Sequence, residues 1–549
     1  MRRWNGWGDD QTDAPLPGAT RRLLEDALGP GRPPRRDATL AELCATAAPS
    51  RLRAHPLIAT DAESRLRHAR GQSFPDLVAM RSGAGLVFPD GVARPVTDAD
   101  VQSLLDFAAE HDVELVPYGG GTSVVGHVNP RPGPRPVLTV SLARLATLRD
   151  FNAESRLATF GAGASGPMIE AQLVARGFTL GHFPQSWEYS TLGGWVATRS
   201  SGQQSLGYGR IEQLFAGGTL LTPRGPLRLE PFPASAAGPD LRQLVLGSEG
   251  RLGILTECVV RVAPRPEAER FRAIFFRDWE HALEAARALA QSGLPLSMVR
   301  VSTPAETTTN LALAGDVRGV RALYALLRWR GAPGDDRCMA VIGATGDTAR
   351  TRRAIRDAGA LALRHGAVGV GPAGDAMGER WRRARFRAPY LRNTLWQMGY
   401  AVDTVETATT WARVPRTLAA VQNALRDALG GEGERVHVFT HLSHLYPSGA
   451  SLYTTFAFRM AADADATLAR WRRLKDAASR AIVGAGATIS HQHGVGTDHA
   501  PYLAAEKGEV GMRAIERLVA ELDPRGLLNP GKLIPDRSAG AARATAVGA

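Results

Sequence analysis

The sequence is 549 residues long and 44% hydrophobic, which is enough chain for two large domains with sizeable cores and an N-terminal extension. Its formal charge of +12 comes almost wholly from arginine, since only Lys475, Lys507 and Lys532 among the 66 basic residues are lysines. No basic run is interleaved with aromatics, so a nucleic-acid groove is excluded; the arginine habit, with many Ala, Gly and Pro, suits a GC-rich bacterial genome.

Cys44, Cys258 and Cys338 are too few and too far apart for a disulfide framework and fit a reducing cytoplasm. The N-terminus has no charged start followed by an apolar core and a cleavage site. The longest apolar runs, such as AIVGAGATIS, are too short to span a bilayer.

In chain order, residues 1–70 are rich in Arg and Pro, with one clear helical piece near TLAELCATAA, and read as an extension packed on something larger. Sustained order begins near Phe74. The stretch VTDADVQSLLDFAAEHDVELVPYGGG predicts a helix capped at Thr97 with Val101, Leu104, Leu105 and Ala108 on one face, then a short strand and a glycine turn. PVLTVSLARL, RLATFGAG, GGTLLTPRGPLRL and GILTECVVRVAP are β-type runs separated by Gly or Pro turns, which makes residues 71–266 one domain of strands with few helices.

Past the Pro- and charge-rich hinge APRPEAE the texture changes. WEHALEAARALAQSG reads as helix, PLSMVRVST and RCMAVIGATG as strands, the span from 374 to 430 as helical, and RVHVFTHLSH and SLYTTFAFRM as strands again. Residues 267–536 are therefore expected to form a second α+β domain with an antiparallel sheet. RSAGAARATAVGA, residues 537–549, lacks core-forming residues and is expected to be a disordered tail.

Consecutive glycines, as in PYGGGTS, let backbone amides point into one concavity with no Cβ in the way, as in loops that cradle a pyrophosphate; the plainer alternative is a hairpin turn. No Gly-Lys-Ser/Thr follows, which excludes a Walker loop. Gly161, Gly163 and Gly166 have the dinucleotide-fold spacing, but no βαβ unit with an acidic strand end follows them. Two more glycine-rich clusters, STLGGWVATRSSGQQSLGYG and LGSEGRLGILTE, lie in the same domain. Together the three loops exceed what hairpins require and point to a long polar ligand threaded between them.

In order and spacing these three loops resemble the flavin-binding half of the vanillyl-alcohol-oxidase type of flavoproteins. The resemblance implies an α+β fold, with a PCMH-type FAD-binding domain of two α+β subdomains followed by a C-terminal cap domain. The cofactor implied is FAD, and no histidine near the pyrophosphate loop other than His127 invites a covalent bond to it. Pro117, Gly119, Gly120, Gly121, Thr122 and Ser123 would wrap its pyrophosphate. His182, Pro184, Ser190, Thr191, Gly193, Gly194, Thr198, Ser201 and Gly202 would lie along the isoalloxazine and ribityl side, and Glu249, Gly250, Gly253 and Ile254 near the adenine half.

RRWNGWGDD, GHFPQSWEYST, FRAPYLRN, GASLYTTFAFR and ATISHQHGVG narrow the resemblance, which runs from Arg3 to about Leu533, to the alkyldihydroxyacetonephosphate synthase family of ether-lipid enzymes. It implies a redox-neutral exchange of the acyl group of acyl-dihydroxyacetone phosphate for a fatty alcohol, with the glycerone carbon carried as an adduct on flavin N5. Such a route gains from removing a C1 proton first, and that needs a base. Tyr453 matches the family's catalytic tyrosine, although a phenol needs cations or a polarised flavin nearby to serve. His491 and His493 are its expected partners, on one face of an extended segment with Gln492 opposite. Arg392 and Arg300 match substrate-binding arginines, and guanidinium suits a phosphate dianion. A homodimer and peripheral membrane contact also follow from the resemblance, and the cysteine usage points to a cytoplasmic location.

Two departures stand out. The family has three consecutive histidines where this chain has His491, Gln492 and His493, and a cysteine where it has Ser451. Glutamine cannot shuttle a proton, so the alternative function is an FAD-linked oxidoreductase taking hydride from a hydroxy acid or polyol. His437, His441 and His444 also permit a metal reading. Related hydroxyacid dehydrogenases, however, place a Glu where Gln492 stands, and an amide is a poor replacement for that ligand, so no metal is expected.

Overall fold

The computed structural model describes residues 1–535 apart from positions 13 and 316; the expected tail at 537–549 lies outside the described residues. The flavin-binding half begins with β1 (Ile58–Ala59), β2 (Gly91–Ala93), β3 (Glu114–Tyr118) and β4 (Val137–Ser141), a sheet of order β1-β2-β4-β3 whose last two pairings are parallel. The helix Asp98–His111 crosses over between β2 and β3. Thr97 and Asp100 cap it reciprocally, its apolar face buries Val101, Leu104, Leu105 and Ala108 as expected, and Asp112 ends it at φ 54°.

β5 (Leu148–Asn152) and β6 (Leu157–Gly161) come next, followed by β7 (Phe178–Thr179), β8 (Phe215–Thr222), β9 (Gly225–Leu229), β10 (Ile254–Arg261) and β11 (Ala263–Pro264). All but β7 and β11, which pair with each other, form an antiparallel sheet of order β5-β6-β10-β8-β9. Both larger sheets share one core, which includes Leu105, Leu142, Phe160 and Phe215. Gly161 and Gly163 prove to be packing glycines: a Cβ on either would strike the carbonyl of Leu145 or Leu142.

The second half is a single antiparallel sheet of β12 (Ala268–Phe276), β13 (Met298–Ser302), β14 (Cys338–Gly346), β15 (Ala367–Val368), β16 (Tyr400–Thr410), β17 (Val436–Tyr446) and β18 (Gly449–Arg459), in the order β15-β12-β14-β13-β17-β18-β16. Helices including Trp279–Gln291, Thr348–Arg364 and Ala464–Gly484 cover one face. The other face looks toward the flavin-binding half.

Two elements differ from expectation. The helical span at 374–430 is broken by β16: YAVDTVETATT, expected inside that helix, is a strand whose Asp403 and Glu406 are buried. Its β-branched residues favour the extended form, and pairing with β18 along its whole length settles the choice. In the extension, Gly18–Leu28 is also helical and buries Leu24 and Leu28 against Tyr400 of β16.

The two halves are stitched together at several points. Arg2 donates to the carbonyl of Gly120 at 2.6 Å, and Asn393 Nδ2 donates to the carbonyl of Trp7 at 2.8 Å, so the segment around Arg2 and Trp7 forms a strap across both. The chain also returns to the first half near its end, where Leu115 N donates to Leu527 O and Asn529 N to Leu115 O, each at 2.8 Å.

Candidate active site

A cavity of 2040 Å³ separates the two halves. Single-ligand sites run to roughly 300–1,000 Å³, so this one holds a cofactor and a substrate together. One wall is made of the three glycine loops. Pro117, Gly119–Ser123, Pro184, Ser190, Thr191, Gly193, Gly194, Thr198, Glu249, Gly250 and Gly253 all line it. Gly119 and Gly120 are required by close approach: a Cβ would lie 2.2 Å from Thr191 Oγ1 and 1.7 Å from the carbonyl of Tyr189. Gly121 sits at φ +61°, where other residues are strained.

Among the described residues the amides of Gly120, Gly121 and Thr122 have no protein acceptor, and the buried Thr191 hydroxyl has no partner. Donors left free in this way, buried at Gly121 and Thr191 and half-buried at Gly120 and Thr122, want an anionic, acceptor-rich group, and FAD's diphosphate and ribityl chain supply one.

Other sequence-assigned positions sit elsewhere. His182 is fully buried against Trp195, bonded to Ser200 at 3.2 Å, with its pKa lowered to about 3 by burial and then by Arg210. Ser201 bonds His444 beside the cavity, Gly202 packs on the Phe183 amide, and Ile254 points into the core. The Glu249 carboxylate turns from the cavity to accept the Val495 and Gly496 amides, the latter at 2.8 Å. Residue type alone could not reveal the choices at Ser201 and Glu249, whose partners His444, Val495 and Gly496 lie far along the chain.

The opposite wall is the open face of the seven-stranded sheet. Alternation along β17 presents His437, Phe439 and His441, and β18 presents Tyr453, Thr455 and Ala457. The register sets Tyr453 directly between His441 on β17 and Glu406 on β16. The His441 ring stacks on Tyr453 at 5.0 Å, His493 meets it edge-on at 5.7 Å, and the phenol donates to Thr404 Oγ1 at 3.4 Å. Burial raises the phenol to about 12, with Glu406 and Asp403 adding to the rise, so the resting site holds Tyr453 protonated.

The two arginines differ. Arg300 is already paired with Glu306 and touches His441 Nδ1 at 3.1 Å. Arg392 donates once to the carbonyl of Gln72, leaving its buried Nη2 without a partner at the cavity wall, and burial lowers its pKa. Arg392 is thus the guanidinium free to take an anion.

His491 and His493 do not share a face as expected. Gln492 and His493 line the cavity, while His491 lies behind it, because the segment is irregular rather than extended. Both histidines approach the same carboxylate. Glu406 Oε1 lies 3.1 Å from His491 Nδ1, and Oε2, which has no hydrogen-bond partner, lies 3.8 Å from His493 Nε2. Burial alone would raise Glu406, but His491, His493 and His444 hold it well below the carboxylate range.

His491 Nε2 meets Tyr446 OH at 2.7 Å and Arg210 at 3.0 Å. A register shift between Leu442 and Leu445 turns His444 to this side, so Glu406, His444 and His491 offer ligand atoms within 4.8 Å of one another. Both nitrogens of His491 are nevertheless committed to hydrogen bonds, one of them shared with a guanidinium, which is the layout of a proton relay rather than of a cation site. The sequence carried no signal for Glu306, Glu406, Arg210 or Tyr446.

Residues 89–229 match the family described as "FAD binding domain", and 265–533 the one described as "FAD linked oxidases, C-terminal domain". Alkyldihydroxyacetonephosphate synthase of Trypanosoma brucei brucei is 30% identical over 486 residues, covering 87% of this chain and 78% of that one. The chain belongs to the alkyldihydroxyacetonephosphate synthase family. The synthase of Dictyostelium discoideum is likewise 30% identical over 484 residues, covering 86% and 78%. A solved alkyldihydroxyacetonephosphate synthase in P212121 superposes with a TM-score of 0.82 at 25% identity, over 96% of this chain and 98% of that one. As a member of this family the protein is an FAD-dependent enzyme with an α+β fold. No helix among the described residues is long and apolar enough to cross a membrane.

Proposed function

We propose that the protein exchanges the acyl group of an acyl-dihydroxyacetone phosphate for a fatty alcohol. The observation that carries this reading is the meeting, in one cavity, of an FAD cradle, a phenol flanked by two histidines, one anion-ready arginine and an apolar limb. FAD, when bound, supplies at N5 the position that carries the glycerone carbon between its acyl and alkyl partners.

The chain's own residues do the rest. Arg392 Nη2 binds the substrate phosphate, and the ion-paired Arg300 adds to the positive field above Tyr453. That field, together with the cofactor, has to lower the phenol from its resting value before it can act as the base at C1. His493, 3.8 Å from Glu406 Oε2, receives the proton next, and His491 with Tyr446, on the other oxygen of Glu406, extends the path. This route needs no third imidazole at position 492, so Gln492 is compatible with it.

The apolar limb runs between the N-terminal helix and the sheet, past Leu16, Leu24, Leu311, Leu323, Met339 and Trp381, and takes the chains. Residues 319, 320 and 322 of the helix Val317–Trp329 line it, while Arg318, Arg321 and Arg328 on its outside and Trp329, 77% exposed, form a surface suited to a membrane interface.

Acyl-labelled acyl-dihydroxyacetone phosphate, incubated with and without a long-chain alcohol, tests the proposal. Labelled fatty acid release coupled to ether product supports it. Lasting anaerobic bleaching of the flavin by a hydroxy acid, with no ether product, replaces it by the oxidoreductase reading.

A further inference from the structure

His441 stands apart from the histidines used so far. Its Nδ1 lies 2.9 Å from Glu306 Oε2 and 3.1 Å from Arg300 Nη2. Arginine can only donate and carboxylate can only accept, and Glu306 Oε1 already takes the Arg300 proton. Nδ1 therefore bears its hydrogen toward Glu306, which leaves the Nε2 lone pair free. Nε2 has no protein partner among the described residues, and the ring lines the cavity, stacked on Tyr453.

A carboxylate that orients an imidazole with its far nitrogen open is the arrangement of a general base. We propose that His441, positioned by Glu306, takes the hydroxyl proton of the entering alcohol, a role separate from that of Tyr453 at C1. This assignment rests on the exchange reaction proposed above. As the C1–O bond to the acyl group breaks, its electron pair leaves with the fatty carboxylate. A lone pair of the alcohol oxygen forms the new C1–O bond, and the alcohol's proton passes to His441 Nε2 and then to solvent. One carboxylate and one proton are released, because the C1 proton taken by Tyr453 is returned to C1 after the ether bond forms, and no oxidant or reductant is consumed.

The charged and titratable groups facing His441 are Arg300 on β13, Glu306 on the helix Pro304–Leu313, Tyr453 on β18, Glu406 on β16 and His444 on its own strand. Burial and Arg300 keep the ring neutral at rest, against the opposing pull of Glu306 and Glu406. A neutral imidazole is the form that accepts a proton. Glu306 stays ionised, because the His441 ring and the Arg300 guanidinium beside it outweigh the effect of burial and hold its carboxyl below the usual carboxylate range.

The test uses the full-length flavin-loaded enzyme, with FAD content checked in every variant. His441→Gln is expected to lower alcohol-dependent ether formation on the order of 100-fold or more, while fatty acid release in a first turnover without alcohol changes little. A β-fluorinated alcohol of equal length, whose hydroxyl is more acidic, is expected to recover much of the loss. Glu306→Gln removes the pull that favours the imidazolium, so the acidic limb of kcat/KM for alcohol should move to lower pH.

Equal losses in both half-reactions of His441→Gln, with no recovery by the fluorinated alcohol, overturn the proposal. So does an unmoved acidic limb in Glu306→Gln, which decides the matter if His441→Gln does not fold. Wild-type enzyme that makes no ether at all brings down the parent reading instead.

Discussion

At Gly120 the cavity wall is backbone, pressed so close to Tyr189 that no side chain fits; across from it, at Tyr453, the wall is side chain, assembled from strands and helices spread between residues 300 and 493. The first wall holds its ligand with amides that any sequence possesses, and it needs only glycines to expose them. The second depends on which side chains register and alternation bring together. Cofactor binding and chemistry are therefore separable by mutation, more cleanly than in a site where one group serves both.

The largest expected effect lies in the cradle. Gly120→Val forces a Cβ into a backbone carbonyl that cannot yield, and FAD affinity should fall about 100-fold or more, some 3 kcal/mol. Protein that leaves gel filtration still yellow would break the contrast. On the sheet face, Tyr453→Phe should keep its full flavin spectrum while turnover drops about 10²–10⁴-fold, measured as ether product per bound flavin.

Arg392→Lys sharpens the distinction within that face. A point charge replaces a planar fork, so KM for the phosphorylated substrate should rise about tenfold with kcat nearly unchanged, read from initial rates. The smallest effect is on stability. His68, His182, His444 and His499 are buried with pKa values lowered first by burial, to about 4 for His68 and about 3 for His182. At pH above their unfolded value near 6.5 both states are neutral and nothing is lost. Below it the unfolded chain takes up protons that the folded chain refuses, so Tm should decline progressively between pH 6.5 and 4 in differential scanning fluorimetry.

The same contrast explains what could be read from the sequence. The glycine loops announce themselves because close approach and positive φ leave few alternatives at Gly119, Gly120 and Gly121, and they lie within a few positions of one another. Tyr453 and the arginines were reachable through motif resemblance. Glu306, Glu406 and Tyr446 were not, because a lone acid or phenol looks like any other until the fold places it. β16 shows the cost: the span around Asp403 and Glu406 read as helix, since nothing local reveals that Trp471 and His491 wait to bond them. The expectation that His491 and His493 share a face failed for a related reason. Period-two logic assumes a regular strand, and that segment has none.

The strap across the two halves bears on how the chain acquires its form. Its anchors at Trp7 and Ala14 pair with Asn393 and Thr394, so the tether between Trp7 and Asn393 spans 386 positions. On a ribosome Trp7 and Ala14 emerge with no berth and stay unmoored until residue 394 has been made and has left the exit tunnel. The entropy of closing a loop grows only with the logarithm of its length, but contacts so distant in sequence form late. Residues made early are in this way among the last to come to rest.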